Sequence, residues 1–377
     1  MRFLHTGDLH LDSAFSSLGV KDAAARREEG RDLLRRIFDC AEQEKCEMIL
    51  MAGDIFDSKF VSAQTEELLY SLIEQCHIPV VISPGNHDPY VEGGIYSKLS
   101  ARLGESALIF SSPELQYFDI DTLGVRVFGY AFTSAAMTAS PLSVSGLPEE
   151  NNYIKIFCGH ADLASPISRY APVTVEELTR FGFAYSALGH IHSESSTDEY
   201  GENVRYCGFA EGRSFDELGE GGVWIVDISD GESVCTRKIL SKRGFYLAQA
   251  EVNAEDTPET LRENISSLAH SVCLSEENHL RVRLVGTADD RFIKDVYAQS
   301  EQMRTSCGLA ELEIIDETMP LFDGEYLQRD TTIRGELYRV LLPMLSSADD
   351  GERRKALRAL RIGLAAIDGK DIHPGAE

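Results

Sequence analysis

Ser83-Pro84-Gly85-Asn86-His87-Asp88 follows an apolar run, Ile78 to Ile82, that predicts a short buried strand. The six residues therefore form the turn that leaves a strand tip. Asn86 offers a metal a neutral carbonyl oxygen, and His87 is the side-chain type suited to moving a proton near neutral pH. Gly85 permits the tight turn that aims both side chains the same way. Taken alone, Gly-Asn-His-Asp also suits a plain polar turn from strand to helix. The other strand ends decide between the two.

Working outward, the same pattern recurs. Residues 2–6 predict a strand running into Thr6-Gly7-Asp8-Leu9-His10-Leu11-Asp12, where Asp8 and His10 alternate across an extended turn. Glu47 to Ala52 predicts a buried strand ending in Gly53-Asp54-Ile55-Phe56-Asp57. Tyr153 to Cys158 ends in Gly159-His160-Ala161-Asp162, and Tyr185 to Leu188 in Gly189-His190-Ile191-His192. Helical spacing between them covers Ala23 to Lys45, Gln64 to Cys76 and Val175–Phe181. Residues 134–152, rich in Ser, Pro, Ala and Asn, predict a loop, and Val204–Cys207 and Gly222–Ile228 predict two further strands. Five times, then, an apolar strand ends in a small residue and next in Asp, Asn or His. Open α/β sheets place their ligands at the carboxyl ends of strands. Of ten histidines, His10, His87, His160, His190 and His192 fall at such ends. His5, His77, His270, His279 and His373 do not, and are expected to be structural or solvated.

The texture changes at Gly244. Strands at Phe245–Val252, His279–Val285 and Leu309–Ile315 alternate with helices at Pro258–Ala269 and Asp289–Thr305, without any of the motifs above. Beyond Met319-Pro320, Ile333, Leu337, Val340, Leu341 and Met344 make one helical stripe, and Leu357, Leu360, Leu364 and Ile367 another. The expected division is therefore 1–240, 244–322 and a helix pair at 326–377. Arg353, Arg354, Lys355, Arg358 and Arg361 form the one dense basic run.

The 377 residues are 43% hydrophobic and 26% charged, ordinary for a soluble globular protein and enough for two domains. No apolar run approaches the ~18–20 residues of a membrane span, and no signal-peptide pattern opens the sequence. With eight scattered cysteines and no Cys-x-x-Cys, a cytoplasmic protein with reduced core thiols is expected. The net charge of −26 argues against a broad electrostatic footprint on nucleic acid, but not against a nucleic-acid enzyme whose metals offset its carboxylates.

Asp8, His10, Asp54, Asn86, His160, His190 and His192 make a mixed oxygen and imidazole set without thiolate. Such a set suits Mn²⁺, Fe²⁺ or Zn²⁺ rather than Ca²⁺. Seven donors exceed one ion of this class and fit two, with Asp54, on a central strand, as the bridge. Two ions ~3.5–4 Å apart acidify a bridging water and clamp both oxygens of an in-line displacement at phosphorus. His87, outside the ligand set, is the candidate to protonate the leaving alkoxide or stabilise the charged phosphorane. Asp12, Asp57, Asp88 and Asp162 either orient these histidines or cap the helices that come next.

Asp8-x-His10, Gly53-Asp54-x-x-Asp57, Gly85-Asn86-His87-Asp88, Gly159-His160 and Gly189-His190-x-His192 resemble the calcineurin-like metallophosphoesterase superfamily. Within it, Gly7-Asp8-Leu9-His10-Leu11-Asp12 is similar to the nuclease subunits of SbcCD-type DNA repair complexes. Tyr170-Ala171-Pro172, Ala187 to His192, Gly212-Arg213 and Glu217-x-Gly219 look closest to their YhaO branch. The resemblance implies a four-layer α/β/β/α nuclease core, a small α/β capping domain, C-terminal helices and an SMC-like ATPase partner on DNA. It implies Asp8, His10, Asp54 and His192 around one ion, and Asp54, Asn86, His160 and His190 around the other, with Arg213 among the substrate-side or supporting groups. A homodimer is also compatible with it. Cys207 stands where such relatives have Pro, Gly221 where Lys is expected, and Asp57 where some carry another His. The readings are a Mn²⁺-dependent DNA nuclease, a phosphatase or phosphodiesterase on a small molecule or phosphoprotein, and a scaffold without catalysis. The appended C-terminal segments favour the first, the charge the second, and the complete ligand set counts against the third.

Overall fold

Side chains alternate across strand β1, Arg2–Thr6, and that alternation sets the layers. Leu4 packs with Ile49, Met51, Val80 and Ile82 on one face, while Phe3 packs with Leu50, Val81, Ile156 and Val226 on the other. In the structure, a computed structural model, residues 1–58, 60–143, 152–193, 200–229, 231–253, 255–272, 276–288, 290–320, 324–367 and 369 are described. Part of the expected loop at 134–152, His373 and the end of the expected 326–377 segment lie outside them. The chain divides into two compact units, Met1–Lys242 and Arg243–Glu377.

In the first unit, β1 runs parallel to β2 (Ile49–Met51), β2 to β3 (Val80–Ile82) and β3 to β4 (Ala107–Ile109). A second sheet has the order β5 (Gln116–Ile120), β6 (Val125–Gly129), β7 (Ile154–His160), β8 (Tyr185–Gly189), β9 (Val204–Tyr206), parallel except at β5–β6. Strand β10 (Gly219–Ser229) pairs antiparallel with β1, and β11 (Glu232–Val252) comes after it. Helices α1 (Val20–Gln43), α2 (Ala63–Gln75) and α3 (Ile95–Leu103) cover the outer face of the first sheet with Leu34, Ile37, Leu69, Ile73 and Leu99. Helix α4 (Val175–Phe181) covers the second, placing Leu178 and Phe181 against Phe157 and Leu188. Between the sheets, Phe3, Leu50 and Val81 meet Val127, Ile156, Cys158 and Ala187. The layers are thus α/β/β/α, as expected. Parallel strands need both faces covered, and here each sheet has a helix layer outside and its twin inside.

His5 lies in that inner layer. Its Nε2–H donates to the Leu188 carbonyl (3.2 Å), and its Nδ1 accepts the Tyr185 hydroxyl (2.9 Å). Burial pushes the ring down to about 3, so it stays neutral, a structural histidine.

The second unit contains the end of β11 with β12 (His279–Ala288) and β13 (Glu311–Asp316), all parallel; β14 (Met319–Pro320) pairs β12. Helices Pro258–Val272 and Asp290–Cys307 pack Leu261, Ile265, Val296 and Met303 against Val282 and Leu284. Helices Gly324–Arg329, Ile333–Leu345 and Asp350–Ile367 share a small core of Leu327, Leu360 and Leu364. Of the first stripe, Leu337 and Leu341 pack there, whereas Ile333, Val340 and Met344 are exposed. The basic run is largely engaged: Arg353 and Arg354 pair with Asp350, and Arg361 binds Asp316 and the Thr318 carbonyl. Among the described residues, no helix is long and apolar enough to cross a membrane.

Three elements differ from expectation. Helix α3 carries no expectation from the sequence, the short helix Gly324–Arg329 is a third helix where a pair was expected, and β11 begins at Glu232 rather than Phe245. The charged stretch Thr236 to Arg243 carries no assignment from the sequence, and pairing with β10 holds it extended. Asp230-Gly231 is the available signal, a dipeptide suited to a tight hairpin.

Leu34 is fully buried in α1, in the cluster that also contains Leu9 and Leu11 of the loop after β1. Leu34→Ala should lower stability by about 2–5 kcal/mol, read by denaturant unfolding, because the packed cluster closes the cavity only partly.

Candidate metal centre

The loops leaving β1, β2, β3, β7 and β8 are tied to one another by two carboxylates and the backbone. The Asp8 and His10 N–H groups donate to the carbonyls of Gly53 and Asp54, both at 3.0 Å. Asp54 Oδ1 accepts the His87 N–H (2.9 Å), and the Asp8 carboxylate accepts the His190 N–H (2.9 and 3.1 Å). Each carboxylate thus orients the next loop as well as pointing into the centre. A methyl group at Gly85 would fall on Asp54 Oδ1, and one at Gly189 on the Ala52 carbonyl, so glycine is required at both. Asp8 (φ 47°), His10 (45°), Asp54 (48°) and His190 (105°) all adopt positive φ. Such residues store of order 1–3 kcal/mol each and collect at functional sites.

Carboxylate and carbonyl oxygens can only accept, and this fixes the imidazole protons. His10 Nδ1–H donates to Asp57 Oδ1 (3.2 Å), and His192 Nδ1–H to Glu217 Oε1 (2.8 Å). Their Nε2 atoms then face each other at 3.2 Å, two lone pairs with no proton required between them. Without an ion a single proton bridges such a pair as an N–H···N hydrogen bond, and with one both lone pairs are free to ligate it. His160 Nδ1–H donates to the Ala52 carbonyl (3.1 Å), leaving Nε2 beside Asn86 Oδ1 (2.9 Å) and Asp54 Oδ2 (3.3 Å). His87 Nδ1–H donates to the Asp57 carbonyl (3.0 Å), and its ring meets that of His10 edge to face.

Electrostatics arise from the same contacts. Burial opposes the charge on His160, but Asp54, Asp8 and the Ala52 carbonyl hold its ring up at about 9. Burial would raise Asp54; His160, then His10 and the His87 N–H, outweigh it and keep the carboxyl well below the usual range. Burial, then the charge on His160, pushes His190 down to about 4. Burial opposes ionisation of Glu217 too, yet His192 and Arg213 bring it to about 2.

Three overlapping trios have ligand atoms within 4.8 Å of one another: Asp8, His10 and His192; His10, Asp54 and His87; Asp8, Asp54 and His160. Asn86 joins through His160, and His190 joins through its N–H and by ring contacts with His160 and Tyr170. The structure therefore gathers all seven sequence-predicted ligands and His87. The supporting candidates separate. Asp57 holds His10, and Arg213 lies against Glu217 and Asp57. Asp88 instead braces the turn, accepting Phe56 N–H, Gly85 N–H and Tyr96 O–H. Asp12 is bound to Ser62 N–H, Thr65 Oγ1 and Arg31 at the start of α2, away from the histidines. Asp162 accepts the Ala164 N–H in its own loop. Glu217, quoted in the sequence only as part of a motif and given no site role there, is a supporting residue that holds His192. The buried Cys207 thiol donates to Asp8 Oδ2 (3.2 Å).

The sequence profile of the calcineurin-like phosphoesterase family matches residues 1–194, more than half the chain. The chain belongs to this family. Its family is one of metal-dependent phosphoester hydrolases and implies a dinuclear metal site that the gathered donors fit. YhaO of Bacillus subtilis strain 168, an uncharacterized metallophosphoesterase, is 28% identical over 242 residues, covering 62% of this chain and 58% of YhaO. The chain thus spans less than two thirds of that relative. The SbcD component of the SbcCD nuclease of the same organism is 26% identical over 286 residues (66% of this chain, 72% of SbcD). The corresponding Escherichia coli K12 protein is 25% identical over 284 residues (62% and 66%). A crystal structure of a dimetal phosphatase from Danio rerio matches with a TM-score of 0.40 at 14% identity, over 64% of this chain and 96% of that one.

A ligand imidazole must be neutral, whereas metal-free His160 keeps its proton up to about pH 9. At neutral pH an incoming ion displaces that proton, so metal affinity should rise with pH and level off near about 9. Calorimetric Mn²⁺ titrations in buffers of different ionisation enthalpy should show net proton release at pH 7 and less of it at higher pH.

Proposed function

We propose that this phosphoesterase is a two-metal DNA nuclease, the nuclease subunit of a cytoplasmic repair assembly with an SMC-like ATPase. The observation that carries the hydrolytic part is the overlap of the three ligand trios through Asp8, His10 and Asp54, which suits two neighbouring ions rather than one. The similarity to the SbcD component of the SbcCD nuclease supports DNA as substrate. In this reading Asp8, His10, Asp54 and His192 hold one ion, and Asp54, Asn86, His160 and His190 the other. Mixed oxygen and imidazole donors without thiolate favour Mn²⁺, with Fe²⁺ and Zn²⁺ as alternatives. When bound, the pair supplies an activated water and charge stabilisation at phosphorus.

The chain's own residues do the rest. Asp54, held as a carboxylate, serves both ions. His87, its Nδ1–H fixed on the Asp57 carbonyl, keeps Nε2 for the proton that its imidazolium form passes to the leaving oxygen. The ring is exposed enough to regain that proton from solvent. Residues 244–322 act as a capping domain. The exposed Ile333, Val340 and Met344 support the 326–377 segment as the ATPase-docking face, since a helix rarely leaves such a stripe bare without a partner. The net charge of −26 favours a second reading, hydrolysis of a small phosphodiester or phosphoprotein.

Labelled single- and double-stranded DNA, compared with an aryl phosphodiester in Mn²⁺ and in Mg²⁺, separates the two readings. Mn²⁺-dependent release of nucleotides is expected; turnover of the aryl ester alone would overturn the nuclease assignment. His87→Ala should keep both ions yet lose roughly 10²–10⁴ in turnover, whereas Asp54→Asn should weaken both ions together. Val340→Asp should abolish co-purification with the ATPase while leaving aryl phosphodiester hydrolysis unchanged, and persistent co-purification would place docking elsewhere.

A further inference from the structure

Residues 211–217 form no helix, yet α1 grips them: Arg26 donates to the Gly212 carbonyl (2.6 Å), and Arg36 pairs with Glu211 (3.2 Å). From this anchored segment Arg213 reaches two carboxylates. Its Nε and Nη2 donate to Glu217 Oε1 (3.0 and 2.7 Å), and its Nη1 lies 3.5 Å from Asp57 Oδ1. Its backbone N–H donates to Glu217 Oε2 (2.7 Å), so the glutamate is held at both oxygens. Glu217, with a side chain only 4% exposed, aims His192; Asp57 aims His10 through its carboxylate and His87 through its carbonyl.

We infer that Arg213 is a positioning residue that locks His10 and His192 with their Nε2 atoms turned to one ion, rather than a group that binds substrate phosphate. A guanidinium is a rigid planar fork able to span two acceptors, which a lysine ammonium on its flexible stem cannot do in the same way. The opposite side of the centre has no such dependence. His160 is oriented by the Ala52 carbonyl and Asn86 by His160, and neither touches Arg213. Loss of Arg213 should therefore be felt on one side only. The inference rests on the two-ion reading of the proposed function.

The test is a Mn²⁺ titration of the metal-free full-length protein, with bound ions counted per chain. Wild type must bind two; a single ion would sink the two-ion reading before this one is reached. In Arg213→Met, one ion should weaken by about 10–100-fold, the usual loss when a group supporting a metal ligand is removed, and the other should stay unchanged. KM for an aryl phosphodiester at saturating Mn²⁺ should not move. Arg213→Lys, which keeps the charge and guards against a misfolded Met variant, should weaken the same ion. Two ions at wild-type affinity with a raised KM would make Arg213 a phosphate contact. Equal weakening of both ions with a lowered Tm would make its role generally structural. Either result overturns the inference.

Discussion

Asp54 is a buried carboxylate that the structure cannot leave uncompensated. Taken from water with no partner, such a group would protonate or disrupt its surroundings. Here His160 and His10 approach its oxygens, and the His87 N–H closes on Oδ1. Those three partners come from β7, the loop after β1 and the loop after β3, so one charge ties both sheets of the first unit together. The glycines serve the same end: Gly85 allows the third loop to lie against the carboxylate, and Gly189 lets the β8 loop reach the backbone at Ala52. The centre is thus both the chemical site and the fastening between the sheets.

The gathering of the candidate donors was legible in the sequence because each succeeds a run of apolar residues whose strand character is strong, so chain order gives spatial order. Asp8, Asp54, Asn86, His160 and His190 are each found by looking just past the end of a strand. The groups that aim the ligands were less legible. Glu217 and Arg213 come from an irregular segment whose position depends on salt bridges to α1, and no periodicity announces that. For Asp12 the sequence left two roles open, orienting a histidine or capping a helix; it sits two residues beyond His10, and its carboxylate serves the start of α2. Motif proximity and spatial role parted there because the backbone turns at Asp12, where φ is 63°.

In the second unit the division is similar. Its three-stranded sheet and two helices obey ordinary amphipathic spacing, and Leu261, Ile265, Val282 and Leu284 form their core. The C-terminal helices were visible as stripes, but a stripe does not say which of its members find partners. Leu360 and Leu364 do so within the unit; Ile333 and Val340 do not. The basic run also lost much of its apparent freedom, because Asp350 and Asp316 lie within reach of its arginines.

The left-handed backbone at Asp8, His10 and Asp54 has a consequence outside catalysis. Conformations of this kind are tolerated only while something holds them, and an ion that binds the folded chain alone adds to what holds them. A copy that has not acquired its ions is therefore the less stable copy, opening more often and meeting proteases more often. Metal supply in the cell becomes a form of quality control: chains that cannot work are also the chains least able to persist.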